Sequence, residues 1–192
     1  MRQCTANGGF PRRHAKKRGD AFSDKIAQII EMVIPKDKLV VDFGAGAYGT
    51  YVRWMLDNGW ENVAGVDGSW GVEKLSKGLV KFGDLSLCLT VGEGRMIPVI
   101  PDWIISIEVG EHIPPEKADV FMDNLSVAKE GILMSWALPG QKGFHHVNCR
   151  MIEWVACEMG KRGFSVDDVA TMEARTFRRH VLRKRLLVLK RD

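Results

Sequence analysis

Two carboxylates and an imidazole fall within five residues in the run SIEVGEHIP, residues 106–114, as Glu108, Glu111 and His112. If 108–112 curl into one turn, these three side chains share a face. Pro114 and Pro115 restrict the backbone behind them, because a residue that precedes proline is pushed out of helical geometry. Such a set supports two kinds of chemistry. With an ion, the oxygens and the ring nitrogen suit a hard divalent metal such as magnesium or manganese, leaving positions for an acceptor's hydroxyls. Without one, Glu111 or His112 can take a proton from a nucleophile. A second stretch, SWALPGQKGFHHVNCR at 135–150, adds His145, His146 and Asn148 as polar groups expected to face an acceptor, with His146 as a further base and Trp136 as a candidate pocket wall. A zinc site built from His145, His146 and Cys149 lacks a fourth ligand at suitable spacing.

A different chemistry is spelled by VVDFGAGAYG, residues 40–49. Gly44, Gly46 and Gly49 form G-x-G-x-x-G, and Asp42 stands two residues ahead of the first glycine. Glycines let the backbone turn sharply and approach a ligand. An acid about 20 residues further on is placed to accept ribose hydroxyls, and Asp67 fills that position. A dinucleotide brings a negative pyrophosphate, which a buried carboxylate at Asp42 would repel. S-adenosylmethionine has no phosphate and carries an ammonium and a sulfonium, so the same carboxylate favours it.

These groups need a scaffold that brings four loops to one rim. Ile26, Ile29, Ile30 and Val33 have helical spacing, starting near Ser23 and ending at Pro35. Residues 38–43 read as a buried strand, 50–58 as a helix closed by Gly59, and 62–66 as a second strand ending in Asp67. The alternation continues with strands at 79–82, 103–109 and 131–137 and helices at 115–128 and 151–162. Two closing strands are expected near 170–177 and 186–190. The implied fold is α/β: a Rossmann-like, doubly wound and mostly parallel sheet with one antiparallel edge at the C-terminus. In such sheets ligands bind beyond the carboxyl ends of the strands, and the acids and glycines above all fall there. Residues 86–101 carry no readable pattern.

The chain resembles the class I S-adenosylmethionine-dependent methyltransferases from about residue 38 onward. The resemblance rests on Asp42-x-Gly44-x-Gly46, on Asp67, on the Asp84–Leu85 pair and on the run 106–114. It implies that Asp42, Gly44, Gly46 and Tyr48 lie along the methionine and ribose of the cofactor. Asp67, with Gly68 and Ser69, would bind the ribose hydroxyls; Asp84 and Leu85 would meet the adenine, and Glu108 would pack near the cofactor. The arrangement E-x-x-E-H with a later histidine is also similar to ubiquinone-pathway O-methyltransferases and to small-RNA 3′-terminal 2′-O-methyltransferases. That second likeness implies a metal set of Glu108, Glu111, His112 and His146.

Composition narrows the setting. No apolar run reaches the roughly 18 residues a membrane helix needs, and the basic opening leads into no signal-peptide core, so a cytoplasmic protein is expected. Four cysteines at 4, 88, 149 and 157 show no paired spacing, which argues against a disulfide framework. Residues 1–18 carry six Lys/Arg and residues 175–191 carry eight, with no acid in either, leaving 14 basic against 23 acidic residues between them. Residues 1–20 are read as a flexible basic arm and 21–192 as one methyltransferase domain. The expected function is methyl transfer from S-adenosylmethionine to oxygen or nitrogen of a small-molecule acceptor, with or without a divalent metal. One alternative is an RNA methyltransferase whose basic ends bind phosphates. Another is a non-catalytic module that binds the cofactor or a nucleic acid. Nothing in the sequence sets an oligomeric state.

Overall fold

The structure, a computed structural model, describes Gly9 and residues 22–89, 99–176, 182 and 184–192. The basic arm expected at 1–20 lies outside the described residues apart from Gly9, as do 90–98 in the unreadable stretch and most of the basic run at 177–183.

Helix α1 (Asp24–Val33) leads into strand β1 (Val40–Phe43), helix α2 (Thr50–Asp57) and strand β2 (Val63–Asp67). A short helix α3 (Val72–Leu75), which the sequence did not announce, connects to β3 (Val80–Phe82). Strand β4 (Trp103–Ser106) is followed by two 3₁₀ turns, Gly110–His112 and Pro115–Lys117, and by helix α4 (Ala118–Leu125). Strand β5 (Gly131–Ser135), helix α5 (Ile152–Gly160), β6 (Phe164–Val166), α6 (Asp168–Thr176) and β7 (Leu186–Arg191) complete the chain. The seven strands run in the order β3-β2-β1-β4-β5-β7-β6, parallel except for β7, which pairs antiparallel with both β5 and β6. The doubly wound sheet with an antiparallel C-terminal edge is thus present as expected.

Alternation along the strands builds two cores. Val41, Phe43, Ile104, Ile132 and Met134 point to the face covered by α4 and α5, where Phe121, Met122, Val155 and Met159 meet them. Val40, Trp103, Ile105, Leu133 and Val188 point the other way, onto Ile26, Ile29 and Ile30 of α1 and Met55 of α2. Each side-chain direction follows from the two-residue repeat of a strand. Among the described residues, no helix is long and apolar enough to cross a membrane.

One element is corrected. Residues 170–176 are not a strand but the body of α6, and the edge strand comes earlier, at β6. Thr171 and Ala174 are buried three residues apart, a helical spacing, and Asp167 accepts the Ala170 amide at 2.9 Å, as a capping carboxylate does. The 103–109 strand also stops early, at Ser106, because Glu108 takes a left-handed backbone with φ 58°.

Candidate active site

The rim at the carboxyl ends of β1, β2, β4 and β5 has two halves. In the first, the loop after β1 turns on Gly44 (φ 89°) and Gly46 (φ 73°), a backbone that favours glycine. A side-chain carbon on Gly44 would overlap Val109, so this loop lies directly against the loop after β4. The amides of Gly44 and Ala45 donate to the Val66 carbonyl at 2.8 and 3.2 Å. Asp67 then joins the first loop to the second: one oxygen accepts the Gly46 amide at 2.9 Å and the other the Ser69 amide at 2.7 Å. A carboxylate has about four lone-pair sites, so it can still accept ribose hydroxyls. Gly68 and Tyr48 are half-buried and Ser69 is buried on the same two loops.

Asp42 is only 3% exposed. Its charge is felt at Tyr51, whose hydroxyl is pushed up to about 12, chiefly by burial, with Asp42 and Asp24 adding and the Ser23 amide opposing. Asp84 uses one oxygen to accept both the amide and the hydroxyl of Ser86, at 2.9 and 2.6 Å. Leu85 beside it is buried. Asn124 of α4, which the reading of the sequence did not single out, anchors this segment. Its amide donates to the carbonyls of Leu85 and Leu87 at 3.0 and 2.8 Å, and its oxygen accepts the Leu89 amide at 2.9 Å. A polar residue on the inner side of the helix FMDNL was the available signal.

In the second half, Glu111, His112 and His146 come together, with one ligand-type atom from each all within 4.8 Å of one another. The 3₁₀ turn at 110–112 can sit this deep because Gly110 has no side chain; any added carbon would overlap the Trp136 ring. The loop carrying the histidines is tied down by backbone bonds. Val147 and Asn148 amides donate to the Glu111 carbonyl at 2.9 and 3.0 Å, and the Arg150 amide donates to Ala137 at 2.9 Å. Gly143 leaves room for the His146 ring, which a side chain there would strike.

Glu111 is 0% exposed, and among the described residues neither of its oxygens has a hydrogen-bond partner. Burial, then the charge of Glu108, pushes its carboxyl up to about 8, against the opposing pull of nearby amides and Arg185. His112 is pushed down to about 4, first by burial and then by the neighbouring histidines, while its contact with the His145 carbonyl opposes. That contact, 3.2 Å from Nδ1, assigns the proton to Nδ1. The His112 and His146 rings meet edge to face with centroids 5.2 Å apart, and the Nδ1 of His146 is buried without a partner. Burial thus favours the uncharged form of both Glu111 and His112.

Three expectations about this half are revised. Glu108 does not join the cluster: both its oxygens accept from Arg185 Nη1 at 2.8 and 2.9 Å, and Oε1 also accepts from the Ser135 hydroxyl at 3.2 Å. Its left-handed backbone turns it toward β7 and away from the histidines. Trp136 does not line a pocket. It is fully buried between Phe121 and Trp154, and its Nε1–H donates to the Asn148 carbonyl. Asn148 likewise faces inward, donating to the Gly110 carbonyl at 3.3 Å and accepting from Arg150 at 2.8 Å. The zinc alternative is not assembled among the described residues, since Cys149 and His145 lie outside the cluster. Cys88, Cys149 and Cys157 are free thiols, and Cys4 lies outside the described residues.

No protein-family model matches the chain, and no curated protein sequence matches it significantly. Solved structures do. Magnesium protoporphyrin IX methyltransferase from Synechocystis PCC 6803 with bound SAH is 17% identical, with 94% of this chain and 92% of that one covered and a TM-score of 0.63. The methyltransferase domain of bacterial CtHen1 is 16% identical over 88% of this chain and 95% of that chain, with a TM-score of 0.57. The ribosomal protein L11 methylase from Lactobacillus delbrueckii subsp. bulgaricus is 15% identical over 91% and 83%, with a TM-score of 0.56. At such identities the likeness establishes architecture and leaves the acceptor open. The fold is that of the class I S-adenosylmethionine-dependent methyltransferases.

Proposed function

We propose that residues 21–192 act as one domain that transfers a methyl group from S-adenosylmethionine to an oxygen or nitrogen of a small-molecule acceptor. The observation that carries the reading is the buried cluster of Glu111, His112 and His146, set one loop away from the glycine turn at Gly44. A buried carboxyl with both oxygens unpaired is costly to keep, about 1–3 kcal/mol for each neutral group left unsatisfied, so its retention beside two imidazoles favours a chemical role. The Gly44–Gly46 turn and the spare acceptor sites on Asp67 fit the cofactor's methionine and ribose. When bound, the cofactor supplies the electrophilic methyl. The chain's own task is alignment, which can contribute roughly 7–11 kcal/mol, and removal of the acceptor's proton, worth about 10²–10⁴-fold. The imidazoles of His112 and His146 take that proton, and the buried carboxyl of Glu111 packs beside them.

A second reading places a divalent ion among the same three residues, because their ligand atoms are already within 4.8 Å of one another. Two imidazoles and one carboxylate suit zinc, iron(II) or nickel better than magnesium, which prefers all-oxygen sites. Glu111, His112 and His146 would hold it, and it would lower the acceptor hydroxyl's pKa. Incorporation of labelled methyl into cell-extract metabolites tests both readings. The first predicts activity that survives dialysis against EDTA and is lost in His112→Ala and His146→Ala. Loss on EDTA treatment with recovery on adding a divalent ion would select the second, and full activity in both variants would overturn both.

A further inference from the structure

We infer that the rim carries a separate site for an anionic group on the acceptor, in the 440 Å³ cleft lined by Leu138, Met151, Ile152, Glu153, Arg175 and Lys184. The cleft lies on the β7 side of the loop that carries His145 and His146: Leu138 belongs to that loop, and Met151 and Ile152 lead from it into α5. Arg175 reaches the rim from α6, where its Nε and Nη2 donate to the Leu186 carbonyl at 3.1 and 2.9 Å. Those bonds hold the guanidinium against the start of β7, and Nη1 makes no hydrogen bond among the described residues. Lys184 has no ion-pair or hydrogen-bond partner among the described residues, and Glu153 on the opposite wall pairs with neither cation.

Two cations that make no ion pair among the described residues, beside Glu153 and over a floor of Leu138, Met151 and Ile152, fit a carboxylate or phosphate attached to an apolar body. Leu138 is half-buried and Met151 is 54% exposed, so the apolar part has surface to cover. The inference rests on the methyl-transfer reading for its meaning: the acceptor would be an anionic molecule gripped here while its nucleophile reaches the histidines. Glu153 acts against such a ligand, which makes the charge balance testable from both sides.

The test uses the full chain and three probes of one size: phenyl phosphate, benzoate and uncharged benzyl alcohol, each followed by amide NMR shifts. The expected result is saturable shifts at Leu138, Ile152, Glu153 and Lys184 with one or both anions and none with benzyl alcohol. Lys184→Glu should weaken the bound anion about tenfold, and Glu153→Gln should tighten it by a few-fold. Preference between phenyl phosphate and benzoate tells which oxyanion the acceptor carries. Equal binding of benzyl alcohol, or anion affinity unmoved by both variants, would overturn the site. Both replaced side chains are exposed, and S-adenosylhomocysteine affinity, measured on the same samples, should stay at the wild-type value. If S-adenosylhomocysteine does not bind the wild type, the methyl-transfer reading fails; if it binds while no anion does, only this inference fails.

Discussion

The two halves of the rim are built on opposite principles. Around Gly44, Gly46 and Asp67, backbone amides already have partners, and the turns use glycines that tolerate positive φ. Around Glu111 and His146, buried polar atoms lack partners, and two non-glycine residues, Glu108 and His145, sit at φ 58°. The first half has these amides paired within the chain itself. The second holds strain and unsatisfied polarity, each of order 1–3 kcal/mol, which the rest of the fold must support. A binding surface can be made from satisfied parts, whereas proton chemistry needs groups whose preferred state is frustrated.

The sharpest way to break the contrast is His146→Ala. It should lower kcat by about 10²–10⁴-fold while leaving S-adenosylhomocysteine affinity unchanged in calorimetry, because the change falls wholly in the second half. Comparable losses in both quantities would mean the halves are one unit. Next in size is Arg185→Ala, which leaves Glu108 without its guanidinium partner at 2.8 Å. Bonds to charged groups are worth about 1.5–3 kcal/mol, and Glu108 is partly solvated, so a loss near the lower end is expected. It reads as a fall in Tm of about 2–4 °C per kcal/mol, partly restored by adding Glu108→Gln.

Gly44→Ala should act mainly on the first half, although the added carbon meets Val109 of the loop after β4. The left-handed backbone costs a side chain about 1–2 kcal/mol, and overlap with Val109 adds to it. Cofactor affinity should therefore weaken about tenfold or more in calorimetry, with the pH profile of the remaining activity unchanged.

The smallest effect is on stability against pH. Glu111 is raised to about 8 in the fold, so its contribution is fully present below its unfolded value of 4.5 and is lost as pH rises through 8. His112 is depressed to about 4, so its contribution is present above 6.5 and lost as pH falls through 4. Ligand-free Glu111→Gln should accordingly gain Tm over the wild type at pH 9 and match it near pH 5. A constant difference at both pH values would show that Glu111 is not held protonated.

Legibility in the sequence divides along the same line. The glycine turn and Asp67 are local signals: neighbouring residues and a fixed spacing from one strand to the next announce them. The mostly parallel sheet follows from apolar runs separated by helical periods, and it is present as expected. The cluster of Glu111, His112 and His146 was also assembled from residue type, since all three follow strand ends. What could not be read was orientation. Arg185 claims Glu108 from 77 positions away, and no local pattern reports that pairing. Trp136 and Asn148 looked outward because they follow a strand end, yet tertiary packing over Gly110 turns both inward. The misread strand at 170–177 has the same cause: in a short apolar stretch, burial at three-residue spacing separates helix from strand, and burial is a tertiary property.

Calorimetric titration of the full chain with S-adenosylhomocysteine tests the central claim most directly. The account predicts saturable one-to-one binding, abolished by Asp67→Ala and absent with NADH. Tight uptake of NADH with no heat from S-adenosylhomocysteine would contradict it.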